Sequence, residues 1–197
     1  MTEGFKIAGL ILAAGFSKRY GSKNKLLKEV DGTSMICRVS QLAERAFLSP
    51  RLVVTGYQME IIEKELLGEN IKTIFNKSYS QGMGTSIACG IKLLRSQMID
   101  AVVVLLGDMP NIDPHSIVCL CNAFNPALNH DICVPVRNDK QGNPVLFGRN
   151  YFNALLALRG DQGGKEIIRA NQDSVVKVNV FDHGIHIDVD REIDVAN

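Results

Sequence analysis

The chain has 197 residues, 46% hydrophobic and 22% charged, an ordinary globular composition with enough length for one sizeable core. Its 22 basic and 21 acidic residues leave a net charge of +1, which gives no general attraction to nucleic acid or to a membrane. Cys37, Cys89, Cys119, Cys121 and Cys133 are odd in number and irregularly spaced, so they read as buried thiols of a reducing compartment and not as a zinc site.

In chain order, short apolar runs alternate with helix-like segments. The start, Met1-Thr2-Glu3-Gly4, has no basic leader pattern, and Ile7 to Ala14 is too short to span a membrane, so a cytoplasmic protein is expected. Lys6 to Leu12 reads as a buried strand, and Ser34 to Phe47 as a helix with Ser34 as N-cap. The β-branched run Arg51 to Thr55 predicts a strand, Gln58 to Leu67 a helix ended by Gly68, and Ile71 to Phe75 a short strand. Thr85 to Arg95 is helical in pattern, and Asp100 to Leu106 is the most apolar strand of all. A helix is expected from Pro114 to Phe124, with Asp113 as N-cap. Strands follow at Ile132 to Val136 and Pro144 to Phe147, and helices at Tyr151 to Leu158 and Gly164 to Ala170. Val175 to Phe181 reads as a strand, with one more expected at Ile185 to Val189.

This alternation predicts an α/β fold, a Rossmann-like three-layer αβα sandwich with a mainly parallel, doubly wound sheet. Strands without polar alternation fit a sheet covered on both faces. No repeat, low-complexity segment or linker interrupts the chain, so a single domain over 1–197 is expected. In such sheets ligands bind beyond the carboxyl ends of the strands.

The stretch after the first strand, Leu12-Ala13-Ala14-Gly15 to Lys25, invites comparison with phosphate-binding turns. It lacks the first two glycines of G-x-G-x-x-G, which argues against a dinucleotide fold. Gly15 and Gly21 have the wrong spacing for a P-loop, and Ser22 precedes Lys23 where a P-loop has Lys before Ser/Thr. A longer loop wrapping a nucleoside triphosphate remains. Ala13, Ala14 and Gly15 let backbone N–H groups approach phosphates, Arg19 offers a fork of donors, and Lys25 a mobile charge. Lys18, Lys23 and Lys28 read as solvated neighbours.

The pattern A-A-G-x-S-x-R-x-G followed by K-L-L resembles the nucleotidyltransferases, and within them the molybdenum cofactor cytidylyltransferase family. The resemblance continues through "NKSYSQGMGTSIACG" (Asn76 to Gly90), "LLGDMP" (Leu105 to Pro110), "GNPVLFGRNYFNALLALRGDQGGKEII" (Gly142 to Ile168) and "DVDREID" (Asp188 to Asp194). It departs at Asn143, where that family commonly has His, and at Arg191-Glu192, where it has Thr-Pro. The resemblance implies a nucleotide-diphospho-sugar transferase-like fold and transfer of CMP from CTP to the phosphate of molybdenum-loaded molybdopterin. Pyrophosphate leaves, Mg2+ (or Mn2+) assists, and a molybdoenzyme client or its chaperone is a conceivable partner. No nucleic acid and no membrane are implied.

Residue by residue, the resemblance makes Leu12, Ala13, Ala14, Gly15, Arg19 and Lys25 the nucleotide loop, and Gly82, Gly84, Thr85 and Ser86 a second nucleotide-binding stretch. Thr85 or Ser86 could equally cap a helix. Asp108, at the end of the most apolar strand, suits a magnesium ligand, because that ion takes a few carboxylates plus phosphate and water. Asp190 falls on the second ligand position, with Asp188 nearby. Arg19, Lys25 and Asp108 form the expected catalytic set. Asn143, Asp161, Gln162 and Gly163 are acceptor-side candidates, although Gly-Asp-Gln-Gly-Gly is also a strong turn signal. His183 and His186 beside Asp188 weakly suggest a transition-metal site, while His115 and His130 read as surface residues. The methyl of Ala14, where guanylyl-transferring relatives usually have Gly, is expected to disfavour a purine. Two other readings stay open: the same chemistry on a sugar 1-phosphate or other phosphorylated acceptor, and a non-catalytic protein that binds nucleotide and delivers cofactor.

Overall fold

In the computed structural model, which describes residues 4–16 and 24–188, the first strand lies inside a mixed eight-stranded sheet. The strands are β1 (Ile7–Ala13), β4 (Arg51–Thr55), β5 (Lys72–Phe75), β6 (Ala101–Leu106), β7 (Ile132–Arg137), β8 (Lys140–Gln141), β9 (Val145–Gly148) and β10 (Val175–Asn179). A separate small hairpin joins β2 (Glu29–Val30) to β3 (Thr33–Ser34) through Asp31 and Gly32, both at positive φ. The order is β5-β4-β1-β6-β9-β7-β10, with β8 paired to β7. β9 runs antiparallel to both neighbours, and the other strands on that path are parallel.

Side chains of the central strands alternate between two apolar layers. Ile7, Ile11, Val103 and Leu105 face α1 (Met35–Arg45), α2 (Met59–Glu65) and α4 (Pro114–Ala123). Ala8, Leu10, Val102 and Val104 face α3 (Met83–Leu94), α5 (Phe152–Leu156) and α6 (Lys165–Ala170). Covering both faces explains why β1 and β6 are uninterrupted apolar runs. The expected helix starts at Ser34 and Asp113 hold. The Ser34 hydroxyl accepts the Cys37 N–H at 3.4 Å, and the Asp113 carboxylate accepts the His115 N–H at 2.8 Å.

Chain direction creates a crevice. From β1 the chain proceeds through β4 to β5 on one side, then returns to lay β6 against the other side of β1. The segments leaving the carboxyl ends of β1 and β6 therefore diverge, which is where open α/β sheets bind ligands.

Several expected boundaries shift. The strand expected at Ile185 to Val189 does not form within the described residues; Gly184–His186 is a 3-10 turn. The Ile185 carbonyl there accepts the Asn143 N–H at 2.9 Å, so a sideways loop contact takes the place of a ladder. The helix expected from Thr85 begins at Met83, with Gly82 as its N-cap, so neither Thr85 nor Ser86 caps it. The helix expected at Tyr151 to Leu158 opens as a 3-10 turn, Arg149–Tyr151, before α5.

Candidate active site

A cleft of about 550 Å³ opens at this crevice. One wall is the segment leaving β1: Leu12, Ala13, Ala14, Gly15 and Phe16 all line it. The Ala14 carbonyl accepts the Tyr57 N–H at 3.2 Å, and the Phe16 ring sits 5.1 Å from Tyr79 and 5.6 Å from Tyr57 between centroids. Backbone and rings together fix the course of the chain as it leaves the strand.

Lys25 and Asp108 stand together in the cleft. Lys25 opens a 3-10 turn, Lys25–Leu27, capped by the buried Asn24, whose side chain accepts the Leu26 N–H at 3.1 Å. Asp108 follows β6 in a tight turn in which the Gly107 N–H donates to Leu12 O at 3.0 Å and the Met109 N–H to Leu106 O at 3.2 Å. Lys25 Nζ donates to Asp108 Oδ2 at 2.6 Å, with the side chains 16% and 23% exposed. At that depth a charge-assisted bond is stronger than on an open surface, yet both groups remain reachable by a ligand.

The opposite wall is the N-terminal end of α3 with the turn before it. Gly82, Met83 and Ser86 line the cleft, as do Tyr79, Ser80 and Gln81. Gly82 has φ +110°, and a Cβ there would lie 2.3 Å from Gly160 C and 2.5 Å from Asp161 Oδ1. Gly84 also packs closely, its N–H donating to Gly160 O at 2.8 Å, while an added Cβ would sit 2.9 Å from Arg159 N. The helix start is thus set flush against the turn at residues 159–162.

Asn76, at the end of β5, organises this wall. Its Nδ2 donates to Thr85 Oγ1 at 2.9 Å and to Ser86 Oγ at 3.0 Å, and its Oδ1 accepts the Ser78 N–H at 3.0 Å. Sequence reasoning did not single out Asn76, nor the aromatic residues Phe16 and Tyr79. Its position at a strand's carboxyl end was the available signal.

The structure sorts the expected residues. Leu12, Ala13, Ala14, Gly15, Lys25, Gly82, Ser86 and Asp108 share the cleft, and Asp161, expected on the acceptor side, joins them. Gly84 and Thr85 do not line it. Gly84 is buried against the neighbouring turn, and the Thr85 hydroxyl is engaged with Asn76, Ser78 O and Gly82 O. Gln162 and Gly163 stay outside the cleft lining, with Gln162 Oε1 accepting the Arg159 N–H at 3.3 Å within its own turn. Asn143 precedes β9 by two residues, at the carboxyl end of β6, held by Ile185 O. Asp188 is exposed and outside the cleft lining. Arg19 and Asp190 lie outside the described residues.

Among the described residues no three His, Cys, Asp or Glu side chains gather in a metal-binding group. His183 Nε2 lies 2.7 Å from Arg137 Nη2, and His186 Nε2 lies 3.1 Å from Lys140 O; neither is part of such a group with Asp188. The donor set at Asp108 is a carboxylate on an open cleft with a cation beside it. That fits a hard ion such as Mg2+, which can rest on one or two carboxylates and take its remaining oxygens from phosphates and water. Burial pushes the Cys121 and Cys133 thiols up to about 12, so neither is a nucleophile near neutral pH. Among the described residues no helix is long and apolar enough to cross a membrane.

Residues 9–175 match the family model described as "MobA-like NTP transferase domain". The purine catabolism protein PucB of Bacillus subtilis is 26% identical over 177 residues, covering 84% of this chain and 82% of that protein. The molybdenum cofactor cytidylyltransferase of Escherichia coli is 26% identical over 141 residues, covering 71% and 69%. Among solved structures, Rv0371c of Mycobacterium tuberculosis superposes with a TM-score of 0.80 at 24% identity, covering 96% of this chain and 95% of that one. Its complex with manganese gives 0.76 at 23% identity, with 96% and 95% covered.

Proposed function

The chain belongs to the MobA-like NTP transferase domain family and is a nucleotidyltransferase, and from that premise we propose that it transfers CMP from CTP to the phosphate of molybdenum-loaded molybdopterin, releasing pyrophosphate. One observation carries the reading: the Lys25–Asp108 pair faces a segment of small residues at the β1/β6 crevice. That arrangement suits a triphosphate, which needs a close backbone, a mobile cation and an anionic anchor for its metal. The choice of acceptor is supported by the motif resemblance between Gly142 and Ile168 and by the Escherichia coli relative.

In this reading the acceptor phosphate attacks the α-phosphorus in line, and pyrophosphate leaves on the opposite side. The Ala14 and Gly15 backbone N–H groups cradle the triphosphate. Lys25 gives up its bond to Asp108 and donates to the β- and γ-phosphate oxygens, with Arg19 assisting; this stabilises the charge on the leaving group. The attacking phosphate is already ionised, so no general base is required. Asp108 would hold Mg2+ or Mn2+, with Asp190 and Asp188 as the further ligands that the motif resemblance implies. Nucleotidyltransferases of this fold generally use divalent metals, and when bound the ion neutralises the triphosphate. Ala14 and the second stretch, Gly82 to Ser86, set base choice. Asp161, in a turn shaped by Gln162 and Gly163, and Asn143, at the carboxyl end of β6, meet the acceptor.

The test is pyrophosphate release with CTP, GTP, ATP or UTP, each offered with molybdenum-loaded molybdopterin or with sugar 1-phosphates. Release is expected with CTP and molybdopterin. Release only with a sugar phosphate would overturn the acceptor. Tight nucleotide binding with no release under any pairing would overturn catalysis in favour of a delivery protein.

A further inference from the structure

The hydrogen bonds behind Ser86 fix the direction in which its hydroxyl can act. Asn76 is 4% exposed, and its amide orientation is settled by a backbone group: the Ser78 N–H can only donate, so the oxygen of the amide must face it. Both amide hydrogens then point at the two hydroxyls of α3, one to Thr85 and one to Ser86. Thr85 passes its own proton to the carbonyl of Gly82 at 2.8 Å or of Ser78 at 2.9 Å, which closes that branch. The Ser86 hydroxyl accepts from Asn76, and among the described residues no group accepts its own proton. Its side chain is in the cleft wall, yet the residue is only 4% exposed. A buried hydroxyl proton without an acceptor is costly unless a ligand receives it.

We propose that Asn76 is a positioning residue that makes Ser86 a hydrogen-bond donor into the cleft, so that the site selects a nucleobase carrying a carbonyl oxygen. This rests on the nucleotide reading above. A carbonyl oxygen stands clear of the ring and accepts over a broad range of angles; cytosine has one, whereas adenine offers only ring nitrogens, each with a single in-plane lone pair. A site that holds an unmet donor disfavours a base that meets it with poor geometry more strongly than its single bond would suggest.

The direction of the bond can be reversed with little change in shape. In Asn76→Asp the carboxylate still accepts from the Ser78 N–H but now also accepts from the Ser86 hydroxyl, turning that proton away from the cleft. Ser86→Ala removes the donor outright. Calorimetric binding of CTP and of ATP to the full chain without acceptor, with melting temperatures in parallel, reads the effect. Any added repulsion between the new carboxylate and a triphosphate acts on both nucleotides and cancels in their ratio. The wild type is expected to favour CTP over ATP, and the preference to fall about tenfold in both variants, the size of one lost buried hydrogen bond. A ratio unchanged in either folded variant overturns the relay, and so does a wild type that binds both nucleotides equally; neither result touches the transferase reading. A wild type that binds no nucleotide overturns both. If Ser86→Ala does not fold, Asn76→Asp decides by itself.

Discussion

The two walls of the cleft are built on different principles. On one, Lys25 and Asp108 are partly exposed charges paired with each other, and the backbone beneath them is secured elsewhere, by Asn24 and by the Leu12–Gly107 bond. On the other, Gly84, Asn76 and Thr85 are consumed by packing and by internal hydrogen bonds, while Ser86, the helix start and the turn at Tyr79 to Gln81 line the cleft. The first wall separates function from stability, whereas the second fuses them. Charge that develops during reaction must be met by groups free to change partners, while a base must be met by groups that cannot.

The difference can be broken by substitution. Asp108→Ala is expected to cut turnover by at least about a hundredfold, a loss of order 3 kcal/mol in the transition state, with the melting temperature moving by only a few degrees. Pyrophosphate release set beside a thermal melt checks this, and near-normal turnover would remove Asp108 from the reaction. Gly82→Ala should behave in the opposite sense. A Cβ 2.3 Å from the Gly160 backbone at φ +110° is expected to cost about 3 kcal/mol of stability, far more than Asp108→Ala. Chemical denaturation measures it, and an unchanged midpoint would mean that the two walls are not locked together.

Lys25→Met sharpens the first wall. It keeps the stem and removes the charge, so the KM for the nucleotide should rise by about tenfold while the KM for the acceptor stays put. An effect confined to the acceptor would place Lys25 on the other substrate. The smallest effect is expected from Ala14→Gly. Ala14 is 6% exposed, with its methyl in the apolar layer under α3 and its backbone at the cleft. Removing the methyl should relax the preference for CTP over GTP by about threefold, roughly 0.6 kcal/mol. Steady-state competition between the two nucleotides reads it, and no change would show that the methyl serves packing only.

Much of the first wall was legible in the chain. An apolar run ending in Ala13-Ala14-Gly15, and another ending in Gly107-Asp108, both announce strand ends, and strand ends are where an α/β sheet places its ligands. The second wall was legible as a region but not in its parts. Gly84 and Thr85 belong to the same short motif as Gly82 and Ser86, yet helical geometry sends them to different neighbours. Asn76 carried no motif that marks a positioning role, since its work depends on hydroxyls nine and ten residues away. The segment at Ile185 had the composition of a strand, but the Asn143 N–H claimed its carbonyl from the side.

The alternation of strands and helices, the two-faced burial of β1 and β6, and the capped starts of α1 and α4 are written into the residue order. Each of these follows from apolar periodicity or from a side chain bonding the backbone within a few residues. Packing between distant segments is what brings Lys25 to Asp108 across 83 residues, places Asp161 in the same cleft, and sets the Asn76 amide against Thr85 and Ser86. Those outcomes depend on strand order and on which hydrogen-bonding group is already satisfied, and both are fixed only when distant parts of the chain pack together.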